Sequence, residues 1–178
     1  NFCIHFFTFD IMNIRKATLI DIDKLLEITL ACGKDLVKKT IYQWDESYPS
    51  KEAFLTDLKR SELYVLEVEH KIIGCITIST FMDQEYKTVN WLTTNKNNIY
   101  IHRLAVHPKH QGKGFAQFLM TFAEDYSKEN KFISVRLDTF SQNSRNLKFY
   151  LKRGYKKTGE VYFSRIKDYS FHCFELVL

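Results

Sequence analysis

The stretch VHPKHQGKGFAQFLM, residues 106–120, decides how the rest of the chain is read. It begins where an apolar, strand-like run (residues 99–106) is stopped by His107-Pro108, because proline cannot donate to a ladder. It then crosses a short basic loop holding Gly112 and Gly114 and enters an amphipathic helix over about 112–128. Phe115, Phe118, Leu119, Phe122 and Tyr126 recur there at helical spacing. A strand, a glycine loop and a helix start in this order aim several backbone N–H groups at one point, backed by the positive end of the helix dipole. Glycines remove the Cβ atoms that hold an anion away. The expectation is a phosphate-binding turn; the plain alternative is a flexible loop of solvated lysines.

Two familiar phosphate loops do not fit. A Walker loop needs Ser or Thr after its lysine, but Lys113 is followed by Gly114. A dinucleotide fingerprint needs a third glycine where Gln117 stands. What does fit is Q-x-x-G-x-A, carried by Gln111, Gly114 and Ala116.

Outward from this loop the chain reads as one α+β domain with a mixed sheet. Residues 12–17 suit a strand, and Thr18 caps a helix with Ile22, Leu25, Leu26, Ile28 and Leu30 on one side. Tyr48-Pro49 makes a turn, and Ser50 caps a second helix through Phe54, Leu55 and Leu58. LYVLEVEHKIIGCITISTF reads as a hairpin turning near His70-Lys71. MDQEYKTVNWLTTNKNN reads as a polar surface loop, ISVRLDTF as a strand, and NSRNLKFYLKRGY as a helix stopped by Gly154. Two strands around Val161 and Phe174 complete the pattern. Residues 1–11, oily but without Lys or Arg, read as an N-terminal extension to a single domain over 12–178, or equally as an ordered edge strand, rather than as a signal peptide.

With its position after LAVHP, the loop resembles the coenzyme A pyrophosphate loop of the GNAT superfamily of N-acetyltransferases, [R/Q]-x-x-G-x-[G/A]. A second segment resembles the same family: Asn143, Asn146, Phe149, Tyr150, Lys152, Gly154 and Tyr155, about thirty residues on. On its own Tyr150 would be read as a core aromatic beside Leu147 and Leu151; the paired motifs reverse that reading. The resemblance spans residues 12–178. Its departures are the first eleven residues, the polar excursion between Phe81 and Ile99, and Asn146 where a small residue is usual.

The resemblance implies a GNAT-type fold, a central splayed mixed sheet flanked by helices, and acetyl-CoA as cosubstrate. It implies that Leu104, Ala105 and Val106 offer backbone groups to the pantetheine arm. Gln111, Gly112, Lys113, Gly114, Phe115 and Ala116 would receive the pyrophosphate, with Lys109 adding charge, and Asn143 would bond the pantetheine. Tyr150 matches the family's general acid, and the Val106 N–H is the natural oxyanion donor. For the base, His102 in YIHRLAV is the candidate, with Glu67 and Glu69 on the hairpin as others; a histidine there could equally hold a water or simply face the groove as a polar residue. Simple alternation places Tyr100, His102 and Leu104 on one face of the strand, and Ile101 and Arg103 on the other. Trp44 and Tyr48 stand where the family builds its acceptor pocket, although aromatic packing explains them about as well; Asp45 could attract a cationic amine, but an exposed loop acid is the simpler reading.

Composition agrees with this and excludes several classes. The 178 residues are 45% apolar and 15% aromatic, which suits one packed globule rather than disorder. A net charge of +5 suits an acidic ligand or a polyanion alike. Cys3, Cys32, Cys75 and Cys173 are scattered without metal or disulfide spacing, so the expectation is reduced thiols, no metal and a cytoplasmic location. No run is long enough to span a membrane. The sequence therefore points to an enzyme that acetylates the amine of a small molecule or peptide, acting as a monomer or homodimer without nucleic acid or membrane. The competing classes are a CoA-binding regulatory module without turnover and a basic nucleic-acid binder, for which no recognition motif is present.

Overall fold

The computed structural model describes residues 12–44 and 47–178; the expected N-terminal extension and Asp45 lie outside them. The elements are β1 (Met12–Lys16), α1 (Ile22–Val37), α2 (Lys51–Lys59), β2 (Leu63–Val68), β3 (Lys71–Ser79), β4 (Asn98–Val106), α3 (Phe115–Glu129), β5 (Ser134–Phe140), α4 (Ser144–Lys152), β6 (Lys156–Phe163) and β7 (Ile166–Val177). Three short 3-10 turns, Leu19–Asp21, Gln84–Thr88 and Pro108–His110, join them. The strands form one sheet in the order β1-β2-β3-β4-β5-β7-β6, with β4 and β5 parallel and the other neighbours antiparallel. This is the expected mixed α+β sheet flanked by helices.

Local chemistry explains the joints. The backbone N–H and hydroxyl of Thr18 both donate to Asp21 Oδ2, at 2.7 and 2.9 Å, closing the start of the first helical segment. Arg15 holds the same carboxylate at 2.8 Å and Glu67 at 2.7 Å, so one side chain ties β1, β2 and the helix start together. Ser50 caps α2 by accepting from the Ala53 N–H, and Gly154 ends the α4 segment at φ +89°.

The sheet buries a core on each side. Around α3 and α4, Ile99, Ile101, Val135 and Leu137 meet Leu119, Met120 and Tyr150. Around α1 and α2, Val65, Cys75 and Ala105 meet Leu25, Ile28 and Phe54. Two helix positions expected to be apolar contacts are exposed instead, Leu30 and Phe118. The expected polar surface loop is also a partial misreading. Its Tyr86 is fully buried, stacked on Tyr100 and edge-on to Trp91, making a third cluster with Phe140 and Phe171. Two aromatic rings in an otherwise polar run are enough to pin it to the sheet.

Two irregularities in β4 shape the centre of the sheet. Cys75 pairs with Ala105 but Thr77 with His102, so Arg103 and Leu104 together oppose Ile76 in a β-bulge, with Arg103 at φ +50°. The extra residue breaks the expected alternation. Ile101 and Leu104 both pack against the α3 core, whereas Arg103 turns to α2 and binds Asp57 through two contacts of 2.5 Å. Parallel pairing of β4 with β5 ends at Ile101 and Leu137. Beyond that pair β4 stays with β3 while β5 stays with β7, and the sheet opens.

Candidate active site

A cleft of about 470 Å³ opens beside this parting. Leu104, Ala105 and Val106 form one wall; Gln111, Gly112, Gly114, Phe115 and Ala116 form the end; Asn143 and Tyr150 close the side of α4. Of the residues expected to hold the cosubstrate, Lys109 and Lys113 are absent from this lining, and both are exposed. Gly112 and Gly114 sit at φ +80° and +88°, a backbone region that L side chains rarely adopt. A Cβ on either would meet nothing within 4 Å, so the space in front of the turn is free for a ligand. Gln111 fixes the turn: its Nε2 donates to the Val106 carbonyl at 3.0 Å, and its Oε1 accepts from Arg145 at 3.0 Å.

Asn143 is buried, and its Oδ1 is occupied by capping α4 through the Asn146 N–H at 3.1 Å. Its amide reaches Gln43 at 3.4 Å. The cleft also takes positive charge from Lys152 of the second motif and from two residues the motifs do not include, Arg145 and Lys148. Their spacing of i, i+3 and i+7 is one helix face, a signal available in the sequence. An array of amides at the start of α3 with these cations opposite fits a ligand bearing several phosphates.

A second cleft, about 380 Å³, lies on the other side. It contains the expected acceptor residues Trp44 and Tyr48 and the candidate base His102, together with Asp83, Glu85, Arg103, Asp138 and Arg165. Gln43, Trp44, Leu104, Asn146 and Tyr150 line both clefts, so the two share a wall at Tyr150. Tyr150 is 5% exposed, with its ring set edge-on against Phe149 and Tyr155. Burial, aided by the charge of Asp138, pushes its phenol well above the usual range and keeps the proton on the oxygen.

The candidate bases divide clearly. Glu67 is engaged by Arg15, and Glu69 sits in the β2–β3 turn; neither lines either cleft. His102 lines this second cleft, stacked on Tyr86, with Nδ1 4.0 Å from Asp83 Oδ2. Burial, then the charges of Arg103 and Arg60, lower its pKa to about 3, so the imidazole is neutral at pH 7. Arg103 is held by Asp57, which also accepts from Thr77 at 2.9 Å, and donates to the Tyr48 hydroxyl at 3.3 Å. Arg165 stacks over Tyr48 at 4.2 Å.

A mixed sheet split between two parallel strands, with a glycine turn and helix start at the split, defines the class of acyl-CoA-dependent N-acyltransferases. The chain belongs to the acetyltransferase (GNAT) family, the acetyl-CoA-dependent N-acetyltransferases, with residues 27–155 matching it. A Staphylococcus aureus Mu50 structure provisionally described as an acetyltransferase is 26% identical over 92% of this chain and 97% of that one, with a TM-score of 0.71. A GNAT-family acetyltransferase of Streptococcus agalactiae, 21% identical, covers 94% and 95% with a TM-score of 0.79. The PaiA N-acetyltransferase of Thermoplasma acidophilum, solved with coenzyme A, is 21% identical over 94% and 99%, with a TM-score of 0.70. At these last identities the likeness is one of fold. Comparison with curated protein sequences gives no match. No helix among the described residues is long and apolar enough to cross a membrane.

Proposed function

We propose that residues 12–178 act as one domain that transfers an acetyl group from acetyl-CoA to the primary amine of a small molecule or peptide. The observation that carries this reading is the shared wall: a cleft suited to a phosphate-bearing ligand and a cleft lined by aromatic and polar side chains meet at Tyr150. Backbone amides from Gln111 to Ala116, with Arg145, Lys148 and Lys152, take the pyrophosphate and neighbouring phosphate charge. Residues 104–106 run along the pantetheine, and the Val106 N–H supports the carbonyl oxygen as it gains charge. The Asn143 amide adds a contact to the same arm.

Trp44 and Tyr48 wall the amine side, and the neutral His102 orients the amine or a water beside it. The amine attacks the thioester directly, the C–N bond forms as the C–S bond breaks, and Tyr150 gives its proton to the departing sulfur. No covalent enzyme intermediate is needed. Thiol release measured with acetyl-CoA against a panel of amines tests the reading. Turnover with at least one amine supports it, whereas CoA binding in calorimetry without turnover on any amine would favour a binding module.

A further inference from the structure

The geometry points to Asp138 as the group that takes the proton from the incoming amine, with Tyr86 as its positioning residue. The inference rests on the acetyl-transfer reading above and adds the missing base to it. The first observation is position. Ile101 and Leu137 are the last parallel pair between β4 and β5, so His102 and Asp138 are the first residues past the parting, one on each strand. Asp138 remains paired with Cys173 of β7, which holds its backbone rigidly at that edge.

The second observation is surroundings. Asp138 and Tyr150 line the same acceptor cleft, and the Asp138 charge reaches the Tyr150 phenol. The third is the carboxylate's own bonding. Its Oδ1 accepts a hydrogen bond from the hydroxyl of the fully buried Tyr86, while Oδ2 takes none from the described residues. One oxygen is thus fixed and the other left to accept a proton.

The titratable and charged groups around it are Asp83, Glu85 and Tyr86 from the 3-10 turn and the residue before it, Arg165 from the β6–β7 turn, Tyr150 from α4, His102 and Arg103 from β4 and Cys173 from β7. Burial pushes Asp138 up to about 6, against the lowering pull of the Tyr86 hydrogen bond. A carboxylate so placed is ionised at pH 7 yet basic enough to be useful, whereas His102 on the opposite strand has lost its basicity.

An ammonium passes one proton to Oδ2 of Asp138, and the freed lone pair forms the C–N bond at the thioester carbon. The C–S bond breaks with its electron pair on sulfur, which takes the Tyr150 proton. The second proton shed by nitrogen restores Tyr150, and Asp138 releases its own to solvent through the cleft.

The test compares wild type, Asp138→Asn and Tyr86→Phe in kcat/KM against pH, with an amine that the wild type acetylates, and in CoA affinity by calorimetry. The wild type should show an ascending limb near pH 6. Asp138→Asn should lose that limb and fall by ~10²-fold or more at pH 7 with CoA affinity unchanged. Tyr86→Phe should stay active with the limb moved to higher pH, because a hydrogen bond to the ionised form is gone. An Asp138→Asn protein within threefold of wild type, or with the limb unmoved, overturns the assignment while leaving acetyl transfer intact. If Asp138→Asn no longer binds CoA normally, an unmoved limb in Tyr86→Phe overturns it instead. A wild type that binds CoA but acetylates no amine overturns the acetyl-transfer reading and this inference with it.

Discussion

Gly74 on β3 lies so close to β4 that a Cβ placed on it would stand 2.6 Å from the carbonyl oxygen of Ala105. The close approach occurs next to the bulge that holds Arg103 at positive φ and turns residues 104–106 along the first cleft. Glycine is required there by space alone, since its φ is ordinary. Gly74→Ala must push β4 away from β3, at a cost typical of overpacking, about 1–3 kcal/mol. Denaturant unfolding should register that loss, and calorimetry should register weaker CoA binding because the moved strand is the one proposed to carry the pantetheine contacts.

Gly114 makes a different demand. Its space is open, but its backbone sits at φ +88°, where a β-branched residue is strongly disfavoured. Gly114→Val should therefore reshape the start of α3 and block the approach of the pyrophosphate. Helix-terminus and charge-assisted contacts are worth roughly 1–3 kcal/mol each, so CoA affinity should fall at least tenfold while the circular dichroism spectrum is retained. Unchanged affinity would remove the turn from the site.

Asp138 and His102 should leave opposite marks on stability against pH. Asp138 has a folded pKa of about 6, above its ordinary 3.8, so between those values the folded protein holds a proton that the unfolded chain has lost. Its contribution is complete below about pH 4 and disappears as pH rises through 6. His102 is lowered from 6.5 to about 3, so its unfolded form protonates first and stability falls as pH drops below 6.5. Both proteins share the histidine, so it cancels between wild type and Asp138→Asn. The variant should gain on the wild type from pH 4 to 7, by at most about 3 kcal/mol, measured by urea unfolding at each pH. A difference that is flat across this range would contradict the burial of an ionisable Asp138.

The loop and the α4 motif were legible because both are local: residues 111–116 and 143–155 each fold within one turn and helix. Tyr150 gained its reading only from their combination, since a tyrosine beside Leu147 and Leu151 reads equally well as core. The bulge was not legible. YIHRLAV alternates plausibly as a plain strand, and the extra residue arises from pairing with Cys75 and Thr77 far away in sequence. Nor was the third core cluster, because Tyr86 and Trp91 lie in a run whose polar majority masks two aromatic anchors. Asp138 escaped for a related reason: in RLDTF it looks like the solvent-facing residue of an alternating strand, and only the end of the β4–β5 ladder gives it a role. The cations of α4 could have been found from their spacing.

The most direct measurement of the central claim is the maximal rate of Tyr150→Phe at saturating acetyl-CoA and amine, across pH. The substitution removes one oxygen from a residue that is 5% exposed and leaves its aromatic contacts in place. General acid assistance is worth ~10²–10⁴-fold, so the account predicts a loss of that size with CoA affinity preserved. A variant within twofold of wild type would contradict it and make Tyr150 an aromatic of the core.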